Sequence, residues 1–196
     1  MKELKSLLSK LYQVLLKKES ILPKLLQEPI SRKEIDKLIE NLDIVISEDV
    51  YELFGWKNGI RTSDDYFIGQ LWIFPLGGFF PIEDSIERYN YYAGKDGYWS
   101  KSMFLLFESG GGEMYLLECD ENSPNYGIIF KHSIGAIDYD VIITAYDSLS
   151  ALIRTVIECY EKDIYFLSTT GVESNFDLEL EVAKRNNPNS ELWKIF

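Results

Sequence analysis

Leu4, Leu7, Leu8, Leu11, Leu15 and Leu16 recur with a helical period and are separated by lysines, so the chain opens on an amphipathic helix that ends before Pro23. Its apolar stripe predicts docking onto a following domain, with a membrane-surface role for its basic face as the alternative. Ser31-x-x-Glu34 is a capping box opening a second helix, whose Ile35, Leu38 and Ile39 are expected to face inward. The stretch from Ile46 to Gly59 holds a third, fully specified helix. Ser47 can accept from its free N–H groups, and Glu48, Asp49 and Glu52 place negative charge at the positive end of the macrodipole. Val50, Leu53, Phe54 and Lys57 share one face, and Asn58-Gly59, which tolerates a left-handed backbone, is expected to cap the end. Tyr51 and Trp56 leave little of this helix polar, so burial on more than one side is expected.

Beyond Tyr66 the period changes. Aromatic and branched residues dominate to Phe80, with Leu71-Trp-Ile-Phe as the clearest strand, stopped by Pro75 and Gly77-Gly78. Pro81 opens a short helix with acids in its first turn. Tyr89 to Trp99, broken by Gly94 and Gly97, is expected to be a loop with exposed aromatics, serving as an interaction surface or as a lid over the core. Met103–Phe107, Met114–Cys119 and Tyr126–Lys131 are strands joined by turn-rich links, which implies an antiparallel meander. Asp147 is expected to cap a helix with a core stripe of Leu149, Leu152, Ile153, Val156, Ile157 and Tyr160. Ile164-Tyr-Phe is a terminal strand, and Asp177 to Arg185 is a last helix. The fold class expected is α+β: a mainly antiparallel sheet with helices packed on it, divided into a helical segment 1–30, a central domain 31–170, and a helix and tail 171–196.

Composition adds charge to this picture. The 196 residues are 46% hydrophobic, enough to bury one core, and carry a net charge of −12. Between Met103 and Glu181 stand 15 acids against 3 bases, so that stretch holds the whole excess and leaves 17 of each sign elsewhere. Such a field repels nucleic acid and anionic membrane and steers a basic protein partner, while also conferring solubility. Cys119 and Cys159 lack metal-ligand spacing and sit among apolar residues, which suits core positions in a reducing cytosol. Neither a signal peptide nor an apolar run of membrane-spanning length is recognised.

The chemistry-bearing residues point away from catalysis. His132 is the single histidine, so a metal site with two imidazoles is excluded within one chain, and no Gly-x-Ser-x-Gly elbow supports a triad. Gly110 to Gly112 lack the Gly-Lys-Ser/Thr ending of a phosphate loop and are flanked by Glu108 and Glu113. Glu118, Asp120 and Glu121 do not reproduce calcium-loop spacing, and paired carboxylates for glycoside hydrolysis are not identifiable among so many acids. No metal or cofactor is expected. The partner-binding residues expected are Glu108, Glu113, Glu118, Asp120 and Glu121, presented by turns, with Tyr91, Tyr92 and Trp99 as the aromatic contribution.

The Ile46–Gly59 helix and its closing Asn-Gly resemble the signature of the SUKH superfamily, the Smi/Knr-like proteins, with Ile46-Ser47 where that family usually has Leu-Pro. Leu76-Gly-Gly-Phe, the Phe107-to-Asp120 stretch and Tyr146-Asp-Ser-Leu follow in the family's order, so the resemblance covers roughly residues 31 to 166. Glu113 stands where the family often has Asp, and Ala183-Lys-Arg-Asn-Asn-Pro with Trp193 resembles tails of bacterial members. The resemblance implies a non-enzymatic immunity protein that binds a toxin domain, often a nuclease or nucleic-acid deaminase. A toxin-free interaction adaptor of the yeast type is the alternative, and an unrecognised hydrolase ranks third.

Overall fold

The computed structural model describes residues 2–95, 98–134 and 142–196. Asp138 and Asp140 of the acidic stretch, and Gly97 of the tyrosine-rich piece, lie outside the described residues. Seven α-helices are described: α1 (Lys2–Lys17), α2 (Leu22–Leu25), α3 (Arg32–Ile39), α4 (Glu48–Trp56), α5 (Ile82–Tyr92), α6 (Leu149–Glu161) and α7 (Phe176–Asn186). Strands β1 (Trp72–Phe74), β2 (Gly77–Gly78), β3 (Met103–Glu108), β4 (Glu113–Glu118), β5 (Ile129–Ser133) and β6 (Ile142–Tyr146) form one antiparallel sheet in chain order. This is an α+β fold. A separate hairpin of β7 (Tyr165–Leu167) and β8 (Val172–Ser174) precedes α7.

The sheet has two unequal faces. Phe104, Leu106, Phe107, Tyr115, Leu117, Ile129 and Tyr146 point into the main core, shared with α1, α4 and α6. Met103, Leu105, Met114, Leu116 and Phe130 point the other way into a smaller cluster, closed by Trp99 with Tyr92 and Tyr98 against it. Strict alternation along β3 breaks once. Leu105 pairs with Leu116 but Phe107 pairs with Tyr115, so Leu106 is an extra residue in a β-bulge.

Helix α1 buries Leu4, Leu8, Leu11, Val14 and Leu15, and it packs on α6 and α4. Ion pairs Lys10–Glu161, Lys18–Asp163 and Glu3–Arg154 rim that contact. Most of the apolar stripe is therefore spent on docking, as its period predicts, while Leu16 at its end stays 47% exposed. The capping box of α3 is present, with the Ser31 backbone N–H donating to Glu34, but Leu38 is exposed, because eight residues bury only the stripe through Ile35.

Helix α4 departs from expectation at both ends. Ser47 stands at the N-cap without a side-chain capping bond, and the chain turns extended at Lys57. Asn58 serves the next helix instead: its Oδ1 accepts from Ile82 N–H at 3.0 Å, and its Nδ2 donates to Glu83 at 3.3 Å. Gly59 has φ +68°, and a Cβ there would lie 2.2 Å from the Phe80 carbonyl. The Asn-Gly pair thus joins α4 to α5 through a close backbone approach that only glycine permits. Trp56 is half-buried and stacks on Phe79 at 6.3 Å, so the second buried side of α4 is partial.

Two further departures lie in the second half. Ser148, not Asp147, caps α6, accepting from Ala151 N–H at 3.1 Å, while Asp147 accepts from Asn189 Nδ2 at 3.0 Å. Strand β6 is not among the strands read from the pattern. Its outer edge is sealed by the C-terminal tail: Glu191 N–H and the Ser190 hydroxyl donate to the Thr144 carbonyl, and Trp193 Nε1 donates to that of Ala145. Without that cover an open sheet edge would remain.

Candidate interaction groove

Helix α5 continues to Tyr92, four residues into the stretch expected to be a loop. Its start is fixed by Pro81, by the Asn58 side chain and by Glu83 and Asp84 in the first turn. Asp84, Glu87, Arg88 and Tyr91 then fall at i, i+3, i+4 and i+7, one stripe along one face. Lys95, just past the helix, sets its ammonium 4.6 Å from the Tyr91 ring centroid, and Tyr91 meets Tyr92 edge-on at 4.6 Å.

Two adjoining depressions follow this stripe. One, of about 420 Å³, is lined by Glu87, Arg88, Asn90, Tyr91, Tyr92 and Lys95. The other, of about 230 Å³, shares Glu87 and Arg88 and adds Ile68, Phe80, Asp84, Glu108 and Gly110. Together they make one groove, acidic at one end and aromatic at the other.

Glu108 reaches this groove because of the β3 bulge. In an uninterrupted strand, residues 104, 106 and 108 would share a face, and Glu108 would point into the main core. With Leu106 inserted, Glu108 pairs opposite Met114 and takes the Leu105 face. There Arg88 Nε donates to its Oε2 at 3.3 Å. The Glu108 side chain is only 9% exposed, and burial pushes its carboxyl above the usual range in spite of Arg88. The Asp84 carboxyl is likewise pushed up, first by burial and then by Glu83 and Glu87.

The other expected site residues are dispersed. Glu113 is half-buried and accepts from Ser109 Oγ at 2.6 Å, closing the glycine turn from within. Glu118 is buried and accepts from Ser102 Oγ at 3.1 Å and from Asp120 N–H at 2.9 Å. Asp120 and Glu121 are exposed and line a separate cleft of about 360 Å³ with Asp43, Val45 and Lys101. The expectation that turns present all five acids freely is therefore corrected: Glu108, Glu113 and Glu118 are drawn inward by partners on the same turns, on α5 or, for Glu118, also at Ser102 just before β3. Trp99 is corrected too. It is 1% exposed, packed on the sheet with Tyr92 at 5.3 Å, and so belongs to the lid rather than to a surface. Tyr91, 62% exposed, and half-buried Tyr92 remain at the groove.

Asp84, Glu87 and Arg88 were not singled out from the sequence, although their spacing on an acid-started helix was legible there. His132 is fully buried beneath Trp99, whose ring it meets edge-on at 5.9 Å. Both cysteines are free and buried, and burial pushes each thiol up to about 12, so neither is a thiolate near neutral pH. Among the described residues no group of three or more His, Cys, Asp or Glu side chains is placed to hold a metal ion, and no helix is long and apolar enough to cross a membrane.

Residues 29–155 match the family described as SMI1 / KNR4 (SUKH-1). The matched span is more than half of the chain and includes α3 to β6 and every residue that lines the groove. No curated protein matches significantly.

Proposed function

We propose, from the premise that this chain belongs to the SMI1/KNR4 (SUKH-1) family, that it is an immunity protein. It binds a basic toxin domain, a nuclease or nucleic-acid deaminase, by direct protein contact and without chemistry of its own. The observation that carries the reading is the groove along α5, where three carboxylates and two tyrosines are held on a rigid helix and strand rather than on loops. Toxins that grip phosphates do so with Lys and Arg. An inhibitor covering such a surface offers carboxylates in place of phosphate, gains association rate from its field, and uses aromatic side chains for buried contact. Family membership supports protein binding, and the acidic balance favours a cationic partner.

The test starts from the neighbouring gene. Where it encodes a long secreted protein with a C-terminal toxin domain, that domain is co-expressed with this chain, and growth rescue and a stoichiometric complex are measured. Rescue is expected, with the association rate falling as salt is added and as Glu87→Gln, Asp120→Asn and Glu121→Gln are introduced, because surface charge is screened beyond about 8–10 Å. An association rate indifferent to both salt and neutralisation moves the contact to Tyr91 and Tyr92. A toxin that neither binds nor is restrained sinks the immunity reading in favour of an adaptor.

A further inference from the structure

We propose that the pocket between Asp84 and Glu108 receives a guanidinium group from the basic partner, and that Arg88 is its intramolecular stand-in, released as the partner's side chain enters. The inference rests on the reading of this groove as the partner-facing surface.

Shape limits the occupant first. About 230 Å³ holds one long side chain, whereas a helix of roughly 10–12 Å diameter is excluded. Ile68 and Phe80 supply apolar wall for an aliphatic stem, and carboxylates from two different elements, Asp84 on α5 and Glu108 on β3, stand at the polar end. Gly110 keeps the rim low. It has φ +75°, and a Cβ there would lie 2.9 Å from Ile68, so the turn stays bare beside the pocket.

The arrangement of charge shows a pocket only partly satisfied from within. Glu108 is nine-tenths buried, yet the one hydrogen bond that reaches it among the described residues comes side-on from Arg88 Nε to Oε2, at 3.3 Å. A well-seated guanidinium–carboxylate pair makes two parallel bonds of about 2.7–2.9 Å. Arg88 is tethered one helical turn from Asp84, and its side chain stays 41% exposed. Two carboxylates, Asp84 and Glu108, therefore draw on Arg88, with Arg61 contributing at Asp84. Both Asp84 and Glu108 are pushed above the ordinary carboxylate range, by burial first, as expected where countercharge is short. A second, untethered guanidinium entering from outside can aim its planar fork at both carboxylates. A compact ammonium gains less from that divided geometry.

The experiment titrates the full chain with ethylguanidinium, ethylammonium and the uncharged isostere ethylurea while backbone amide resonances are followed. Ethylguanidinium should shift the signals of Ile68, Glu108 and Gly110 saturably, ethylammonium less and ethylurea not at all. Arg88→Gln removes the stand-in and should tighten ethylguanidinium binding by about two- to fivefold, the reach of an exposed ion pair. Glu108→Gln and Asp84→Asn, each isosteric, should weaken it, and either one decides should the other fail to fold. Unchanged or weaker binding by Arg88→Gln, or an equal response to ethylurea, overturns the inference. A toxin complex that forms normally while this pocket stays silent also overturns it and leaves the immunity reading standing. Saturable ethylguanidinium binding in a chain that restrains no toxin has the opposite meaning.

Discussion

The two faces of the sheet are built from the same strands and covered very differently. On one, Phe104, Phe107, Tyr115, Leu117 and Tyr146 meet three helices and the aromatic side chains of Phe54, Phe74 and Phe79. On the other, Met103, Leu105, Met114, Leu116 and Phe130 are covered, among the described residues, mainly by one segment carrying Tyr92, Tyr98 and Trp99, with Ile128, Ile134 and Ile142 at the margin. The thick face supplies most of the apolar burial that offsets chain entropy. The thin face supplies less, and its cover begins at the end of the same helix that lines the groove. The groove proposed to meet a partner and the thin cover thus adjoin on one piece of chain.

Substitutions rank this contrast. Phe54→Ala, at 0% exposure under α1 and against Phe79, should cost about 3–5 kcal/mol, read as a lowered urea midpoint. Trp99→Ala should cost about 3 kcal/mol, the low end for a buried aromatic, because a one-segment cover can collapse into the space left. A Trp99 loss equal to that of Phe54 would erase the distinction between the faces. Trp56→Ala should cost only about 1–2 kcal/mol, since the indole is half-buried and keeps one face on Phe79. An unchanged midpoint would place Trp56 wholly in solvent.

The smallest effect is set by pH and belongs to the thick face. Glu179 is 6% exposed, accepts from the Tyr165 hydroxyl at 2.6 Å, and has its carboxyl pushed up by burial. A carboxyl raised in the folded state favours the protonated form there, so its contribution is fully present below the unfolded value and is lost as pH rises through the folded one. Glu179→Gln keeps an acceptor for Tyr165 without the charge. Its urea midpoint should exceed the parent's by a modest margin at pH 8, with the gain vanishing below about pH 4.5. A gain that persists in acid would assign the effect to packing instead.

Much of the scaffold was legible because it is local. Leucine spacing in α1 is a periodicity, Ser31-x-x-Glu34 is a four-residue exchange of hydrogen bonds, and the β3–β4–β5 meander follows from short turn-rich links between branched and aromatic runs. Half of the groove was legible as well, since Tyr91 and Tyr92 were marked from composition and Asp84, Glu87 and Arg88 lay at readable helical spacing. What misled was the inference that an acid beside a turn is exposed. Glu113 and Glu118 are held by hydroxyls and N–H groups of their own turns, contacts that depend on how each turn closes.

The sequence by itself determined the α+β class, the apolar stripe of the first helix and the sign of the charge, since each follows from residue types and their spacing, whereas the packing of that helix on α6 and α4 is seen only in the fold. Tertiary structure alone decided which way Glu108 points. One extra residue at Leu106 rotates everything after it by half a strand period, and whether it bulges depends on what β4 and α5 present opposite, not on the run Met103-Phe-Leu-Leu-Phe-Glu108. The same holds for Asn58-Gly59, whose pattern fits the end of one helix but whose atoms cap the start of another, because Phe80 passes within van der Waals distance of the glycine only in the folded chain.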